Sequence, residues 1–215
     1  MIQLEVWGPY ALFTRSEFKV ERASYDVPTP SAARGIVESI YLHPGMRWVI
    51  RRIYVLNPIE FTTIRRNEVK SKILGGTAMR IAQSKEDEPY LVTTKQIVQR
   101  ASMVLTNVHY VIEAEFEMLP EKAAPGDNPG KFQDIVTRRM RKGQCFSTPY
   151  FGCREFPAHF KQWEGGPIPT IDETRDLGFM LYDFDYSDPQ NITPLYFRAK
   201  MEHGVIQVAG CEVFR

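Results

Sequence analysis

The chain has 215 residues, 43% of them hydrophobic and 25% charged, with a formal net charge of +1. These proportions exclude a disordered polyelectrolyte and provide for a sizeable core without disulfides. The lack of any apolar run of about 18 residues excludes a helical membrane span. Near neutrality also argues against a generic polyanion binder. The opening alternation from Met1 to Gly8 is not a signal peptide. Cys145, Cys153 and Cys211, with no CxxC pair, read as reduced thiols in a cytoplasm.

Ile2, Leu4 and Val6 alternate with Gln3 and Glu5, which predicts a half-buried strand. Phe18 to Glu21 predicts a second extended piece, stopped by Pro28-Thr29-Pro30. Thr29 suits an N-cap and Pro30 a first helical position, where no amide donor is needed. Ala33, Ile36, Val37, Ile40 and Tyr41 then fall at helical spacing, predicting helix one over 31–42, ended by Pro44-Gly45. A strand follows over 48–56, broken by Asn57-Pro58. Residues 59–100 are expected to form a hairpin or arm laid over the main domain. Tyr110, Ile112, Ala114, Phe116 and Met118 share one face of a long strand. Asn128 and Pro129 start helix two, Phe132, Ile135, Val136 and Met140 form its stripe, and Gly143 stops it. A last strand is predicted over 146–156, interrupted by Pro149 and Gly152.

The order β-α-β-(arm)-β-α-β describes an α+β, ferredoxin-like (RRM-like) domain over 1–160. Its sheet has one face under helices and one open face suited to single-stranded RNA. Past the linker Gly165-Gly166-Pro167, short strands near Phe179 and Pro194 and the turn Glu202-His203-Gly204 predict a small β-rich extension, 161–215.

Charge is unevenly spread: 11 basic and 6 acidic residues from Arg15 to Lys72, 7 and 2 from Lys131 to Lys161, then 1 and 7 from Glu164 to Asp188. Such asymmetry allows a basic surface on a neutral protein, though chance clustering on several solvated faces gives the same counts. The dense groups are Arg65, Arg66, Lys70 and Lys72 in the arm, and Arg138, Arg139, Arg141 and Lys142 at the end of helix two. Cations there also suit the negative helix terminus, so capping explains part of the second group. Both are candidate phosphate contacts. Tyr10, Phe13 and Tyr150 are candidates to stack bases or to fill the core. No metal-ligand spacing, Walker loop, HExxH, dinucleotide fingerprint or cysteine–histidine pairing occurs, so no cofactor is expected.

Several stretches, taken in order, resemble the Cas five family of CRISPR-associated proteins, subtype I-C. They are Trp7-Gly8-Pro9-Tyr10-Ala11-Leu12-Phe13-Thr14, the run 24–32, Glu38-Ser39-Ile40-Tyr41, Leu56-Asn57-Pro58-Ile59, the run 65–72, and 129–156 with Tyr150-Phe151-Gly152-Cys153-Arg154-Glu155-Phe156. The resemblance implies a ferredoxin-like domain with a β-rich C-terminal extension. It implies metal-independent cleavage of the repeat hairpin in precursor CRISPR RNA. The product's 5′ end then stays bound within the type I-C interference complex. The expected partners are precursor and mature CRISPR RNA and the backbone and large subunits of that complex, with double-stranded DNA as a sequence-independent partner.

In such cleavage the ribose 2′-hydroxyl attacks the adjacent phosphorus, leaving a 2′,3′-cyclic phosphate and a 5′-hydroxyl. One group takes the 2′ proton, a cation stabilises the charged transition state, and an acid protonates the leaving oxygen. The resemblance gives these roles to a tyrosine ending helix one and a Lys-His pair opening helix two. Tyr41 and Lys131 match, while the histidine position holds Phe132, which moves no protons. His43 and His109 are the candidate substitutes. Each also has a bland reading: Tyr41 as a core ring, Lys131 as a surface lysine, His43 as a loop residue and His109 as a bonded strand residue. Phe132 favours an alternative, a non-catalytic guide-RNA-binding subunit of the same complex.

Overall fold

The computed structural model describes residues 1–18, 21–70, 79 and 92–215. Strand β1 (Ile2–Ala11) buries Ile2, Leu4 and Val6 on one face, as the alternation requires, and turns Gln3, Glu5 and Trp7 to the other. After a two-residue strand β2 (Arg22–Ala23) comes helix α1 (Pro30–Ile40). The Thr29 hydroxyl accepts the Ala32 N–H at 3.1 Å, and Pro30 opens the first turn. The helix ends two residues before the predicted limit. Tyr41 swings to an extended conformation (φ −149°, ψ 120°) while its N–H still reaches the Val37 carbonyl.

Strand β3 (Met46–Val55) leads into β4 (Glu60–Val69), the short helix α2 (Thr93–Gln96) and the 22-residue β5 (Ile97–Met118). β4 pairs with β5 from Glu60↔Thr106 to Val69↔Ile97, so the described part of the expected arm is an antiparallel hairpin. Its second strand runs straight into the central sheet. Helix α3 (Pro129–Lys142) forms as its caps dictate. Asn128 Oδ1 accepts the Lys131 N–H at 2.9 Å, and Gly143 takes the left-handed conformation (φ 63°).

The strand predicted over 146–156 does not form. Pro149 lacks a donor and Gly152 sits at φ 77°, where a Cβ would meet the Leu12 carbonyl oxygen at 2.0 Å. The segment instead folds as a tight turn against the end of β1, with Leu12 N–H donating to Phe151 O at 3.0 Å. The pairing strand is β6 (His159–Gln162), antiparallel to β1.

The four core strands lie in the order β3-β5-β1-β6, which is the fourth-first-third-second arrangement of a ferredoxin-like βαββαβ unit. Strands β7 (Arg175–Asp185), β8 (Thr193–Glu202), β9 (Val205–Gln207) and β10 (Val213–Phe214) extend the same sheet, because β9 pairs with β3. His203 and Gly204, both at positive φ, make the tight turn between β8 and β9. β7 returns to α1, where Arg34 grips Asp183 with two hydrogen bonds of 2.5 and 2.8 Å. Among the described residues no helix is long and apolar enough to cross a membrane.

Candidate active site on the helix side of the sheet

Phe132, wholly buried on α3, packs against Phe116 of β5 at 6.1 Å, and Phe116 against Trp48 of β3 at 5.5 Å. Tyr41 completes this aromatic cluster, its ring 5.9 Å from Phe132, and Trp48 Nε1 donates to the Tyr41 carbonyl at 2.8 Å. Phe132 thus packs against the ring while Trp48 holds the backbone of the same residue. From α3, the Arg139 guanidinium lies 5.1 Å from the centre of the Tyr41 ring and donates to the Ile40 carbonyl at 2.6 Å. That bond satisfies one of α1's unpaired terminal carbonyls. Lys131 and Arg139 are eight residues apart on α3, about 12 Å along its axis, and Tyr41 feels both charges.

Burial pushes the Tyr41 hydroxyl above its ordinary range; Lys131 and Arg139 pull it down and Asp127 pushes it up, and burial prevails. Tyr41 therefore keeps its proton near neutrality in the unliganded protein. It is a hydrogen-bond donor there and not a ready base. Lys131 Nζ donates to Asp127 Oδ1 at 2.9 Å, which raises the ammonium's affinity for its proton and holds Asp127 below the usual carboxylate range. Asp127 also accepts the Ala124 N–H at 2.8 Å, and its side chain is 1% exposed. An ammonium has three donors, so two remain for an incoming phosphate.

His43 sits at the same place. Its ring is 4.8 Å from Phe132. Nδ1 accepts the Gly45 N–H at 3.1 Å and lies 3.7 Å from Asp127 Oδ2. With the Gly45 N–H at Nδ1, the imidazole carries a hydrogen on Nε2 and is a donor there; a hydrogen on Nδ1, toward Asp127 Oδ2, is what frees the Nε2 lone pair. The α1–β3 loop thus brings an imidazole against the Phe132 ring.

His109 does not join this group. It projects from the opposite face of β5, where Nε2 meets Glu5 Oε1 at 2.9 Å beside Trp7. The two-residue alternation that puts Tyr110 and Phe116 under the helices forces His109 to the far side. On that open face these cations meet carboxylates. Arg47 pairs with Glu117 at 2.7 Å, Arg51 with Glu115, Arg52 with Glu113 at 3.4 Å, and Lys161 with Glu5 at 3.2 Å.

The arm cations also separate. Arg66, 14% exposed, is paired with Glu155 and Glu68 and lies over the Phe156 ring, clipping β4 to the turn after Gly152. Arg65 is exposed on the other side of β4, Lys70 is exposed at its end, and Lys72 lies outside the described residues. On α3, Arg141 pairs with Glu164 at 3.1 Å, while Arg138 and Lys142 are exposed with no carboxylate partner among the described residues. Asp127 is the member of the site that sequence reading missed, and Arg139 is read there as a phosphate contact but not as a neighbour of Tyr41. Arg139 had been grouped with its surface neighbours, and the i, i+4, i+8 spacing of 131, 135 and 139 was the signal that it shares a face with Lys131. Asp127 gave no signal beyond its place before the Asn128 cap.

Residues 1–209 match the family model for the CRISPR-associated protein Cas5, variant Cas5d. The chain is 45% identical over 214 residues to the CRISPR pre-crRNA endoribonuclease Cas5d of Mannheimia succiniciproducens, covering 96% of this chain and 94% of that one. It is 36% identical over 224 residues to the protein of the same description from Thermus thermophilus, covering 96% and 90%. A functionally uncharacterized protein from Streptococcus mutans shares the fold at 23% identity, with a TM-score of 0.68 over 100% of this chain and 96% of that one. A crystal structure of a CRISPR-associated protein does so at 23% identity and a TM-score of 0.69, with the same coverage.

Proposed function

The chain belongs to the Cas5d family of CRISPR-associated proteins, the Cas5 of subtype I-C, and from that premise we propose that it cuts the repeat hairpin of precursor CRISPR RNA by metal-independent attack of a 2′-hydroxyl on the adjacent phosphate. The observation that carries this reading is the gathering, over one buried aromatic cluster, of a protonated phenol, two cations and an imidazole: Tyr41, Lys131, Arg139 and His43. These are the groups that such a transesterification needs, and no redox or hydride step is involved.

The scissile phosphate sits between Lys131 and Arg139, whose charges stabilise the pentacoordinate transition state. Tyr41, kept protonated by burial, donates to a phosphate oxygen and needs no change of state to do so. With its hydrogen moved to Nδ1, toward Asp127, His43 takes the 2′ proton on Nε2 and passes one to the departing 5′-oxygen, and Asp127 steadies the imidazolium in between. Lys131 is held on station by the same carboxylate, so Asp127 is a positioning residue for both. After cleavage the 5′ portion stays bound through the exposed cations of α3 and the arm, Arg138, Lys142, Arg65 and Lys70, as one subunit of a type I-C interference complex. Double-stranded DNA meets the same cations without sequence preference.

The second reading, a guide-RNA-binding subunit that does not cut, is favoured by one residue, Phe132. Incubating the purified protein with its cognate repeat RNA in EDTA separates the two. The proposal expects one cut leaving a 2′,3′-cyclic phosphate and a 5′-hydroxyl. Tight binding without any cut would establish the second reading.

A further inference from the structure

The segment after α3 carries a second feature of the same region. Residues 141–148 are all exposed, and Phe146 at 79% is the most exposed large hydrophobic side chain among the described residues. Its backbone is nonetheless fixed. The N–H groups of Phe146 and Ser147 both donate to the Ser39 carbonyl, at 2.8 and 3.0 Å. Ser39 lies in the last turn of α1, two residues before Tyr41, and the next carbonyl, Ile40, takes the Arg139 guanidinium. The loop after α3 is therefore riveted to the helix end that delivers Tyr41.

The side chain stands in contrast to its backbone. Among the described residues the Phe146 ring has no aromatic or cation–π partner. Lys142, four residues before it, and Arg138, a helical turn further back on α3, are cations without carboxylate partners among the described residues. A bare ring on a backbone held by the carbonyl two residues before Tyr41, following a helix end that carries unneutralised cations, matches what an unpaired nucleotide requires. It offers a flat face for the base and charges for the flanking phosphates. Stacking on phenylalanine is tolerant of base identity, so Phe146 fixes position along the strand and not sequence.

We propose that Phe146 is the platform on which an unpaired nucleobase beside the scissile phosphate stacks, so that it sets which phosphate reaches Tyr41. The proposal rests on the Tyr41 reading for where the cut lies, but its test needs no cutting. Repeat RNA with a 2′-deoxyribose at the cut site cannot be cleaved. It is prepared with the fluorescent base 2-aminopurine on either side of that site and titrated with the parent protein, Phe146→Ala, Phe146→Leu and Phe146→Trp. Binding by the parent should quench one of the two probes. Phe146→Ala should abolish that quench and weaken binding about tenfold or more, with an unchanged salt slope because no charge is lost. Trp should restore both properties and Leu neither, since Leu supplies apolar area without a ring. Unchanged quench and affinity in Phe146→Ala would overturn the proposal, as would full rescue by Leu. So would a variant that binds RNA normally yet fails to join other subunits, since that would make the ring a protein-docking residue. If Tyr41→Phe cuts normally while the Phe146-dependent quench persists, the Tyr41 reading fails and the stacking role stands.

Discussion

The two sides of the central sheet both carry cations, but they treat them differently. On the open side each one meets a carboxylate across the strands: Arg47 with Glu117, Arg51 with Glu115, Arg52 with Glu113, Lys161 with Glu5. The strand register puts Arg47 directly opposite Glu117 and Arg52 opposite Glu113, so the face is a cross-strand lattice. On the helix side the partners of Arg139 are a carbonyl and a ring, and Arg138 and Lys142 have no carboxylate among the described residues. A cation facing a carboxylate is largely neutralised locally, and Lys131, paired with Asp127, brings its two spare N–H donors to phosphate more than its charge, whereas a cation facing a carbonyl, a ring or water keeps its charge. Counting lysines and arginines along the chain cannot make this distinction; their partners do.

The largest effect is expected at Tyr41. Tyr41→Phe keeps the ring against Phe132 and removes only the hydroxyl, so melting should barely change while cleavage slows by about 10²–10⁴. His43→Ala should cost about as much. His109→Ala, on the lattice side, should leave the cleavage rate within about twofold, since its ring bonds Glu5 and packs against Trp7 there, away from Tyr41. A large loss in the His109 variant would dissolve the distinction between the faces.

Salt dependence offers a second contrast. Replacing Arg138 and Lys142 by alanine should reduce the slope of log affinity against log salt by about one to two. Replacing Arg47 and Arg52 should leave it unchanged, because their charges are balanced by Glu117 and Glu113. Equal changes in both double variants would show that RNA covers both faces.

The smallest effect is in alkaline stability. Burial raises the Tyr41 phenol, so the folded protein holds that proton more tightly than the unfolded chain. The resulting stability is complete below the unfolded value of about 10 and is lost as pH rises through the folded one. Tyr25, Tyr110 and Tyr182 shift in the same direction, so only the difference between parent and Tyr41→Phe isolates this group. The variant should lose less melting temperature than the parent above about pH 10. Superimposable alkaline profiles would place the hydroxyl in water.

Much of this was legible in the sequence where local chemistry decides. Thr29-Pro30 and Asn128-Pro129 fixed both helix starts, and alternation along 110–118 identified the buried face of β5. The reading failed where a distant neighbour decides. Aromatic content suggested a strand over 146–156, but Gly152 packs its bare backbone onto Leu12 and turns the chain. The pairing of β9 with β3, which joins the C-terminal strands to the main sheet, depends on contacts some 150 residues apart. At the site, Tyr41 and Lys131 could be named because they match the tyrosine and lysine positions that the family resemblance implies. Arg139 could not be separated from Arg138, Arg141 and Lys142 until the bond to Ile40 showed which of the four turns inward.

The central claim is that the helix-side cluster cuts RNA with side chains alone, with His43 in place of the imidazole absent at Phe132. The most direct measurement is a single-turnover cleavage assay on the cognate repeat RNA in EDTA, comparing the parent, His43→Ala and the double variant His43→Ala with Phe132→His, with the product ends identified. The account expects a 2′,3′-cyclic phosphate from the parent and near-complete loss in His43→Ala. It expects no rescue of the parent's rate in a double variant carrying Phe132→His, because position 132 is buried beneath Tyr41 and His43. An active His43→Ala, or a parent that cuts only once magnesium is restored, would contradict it.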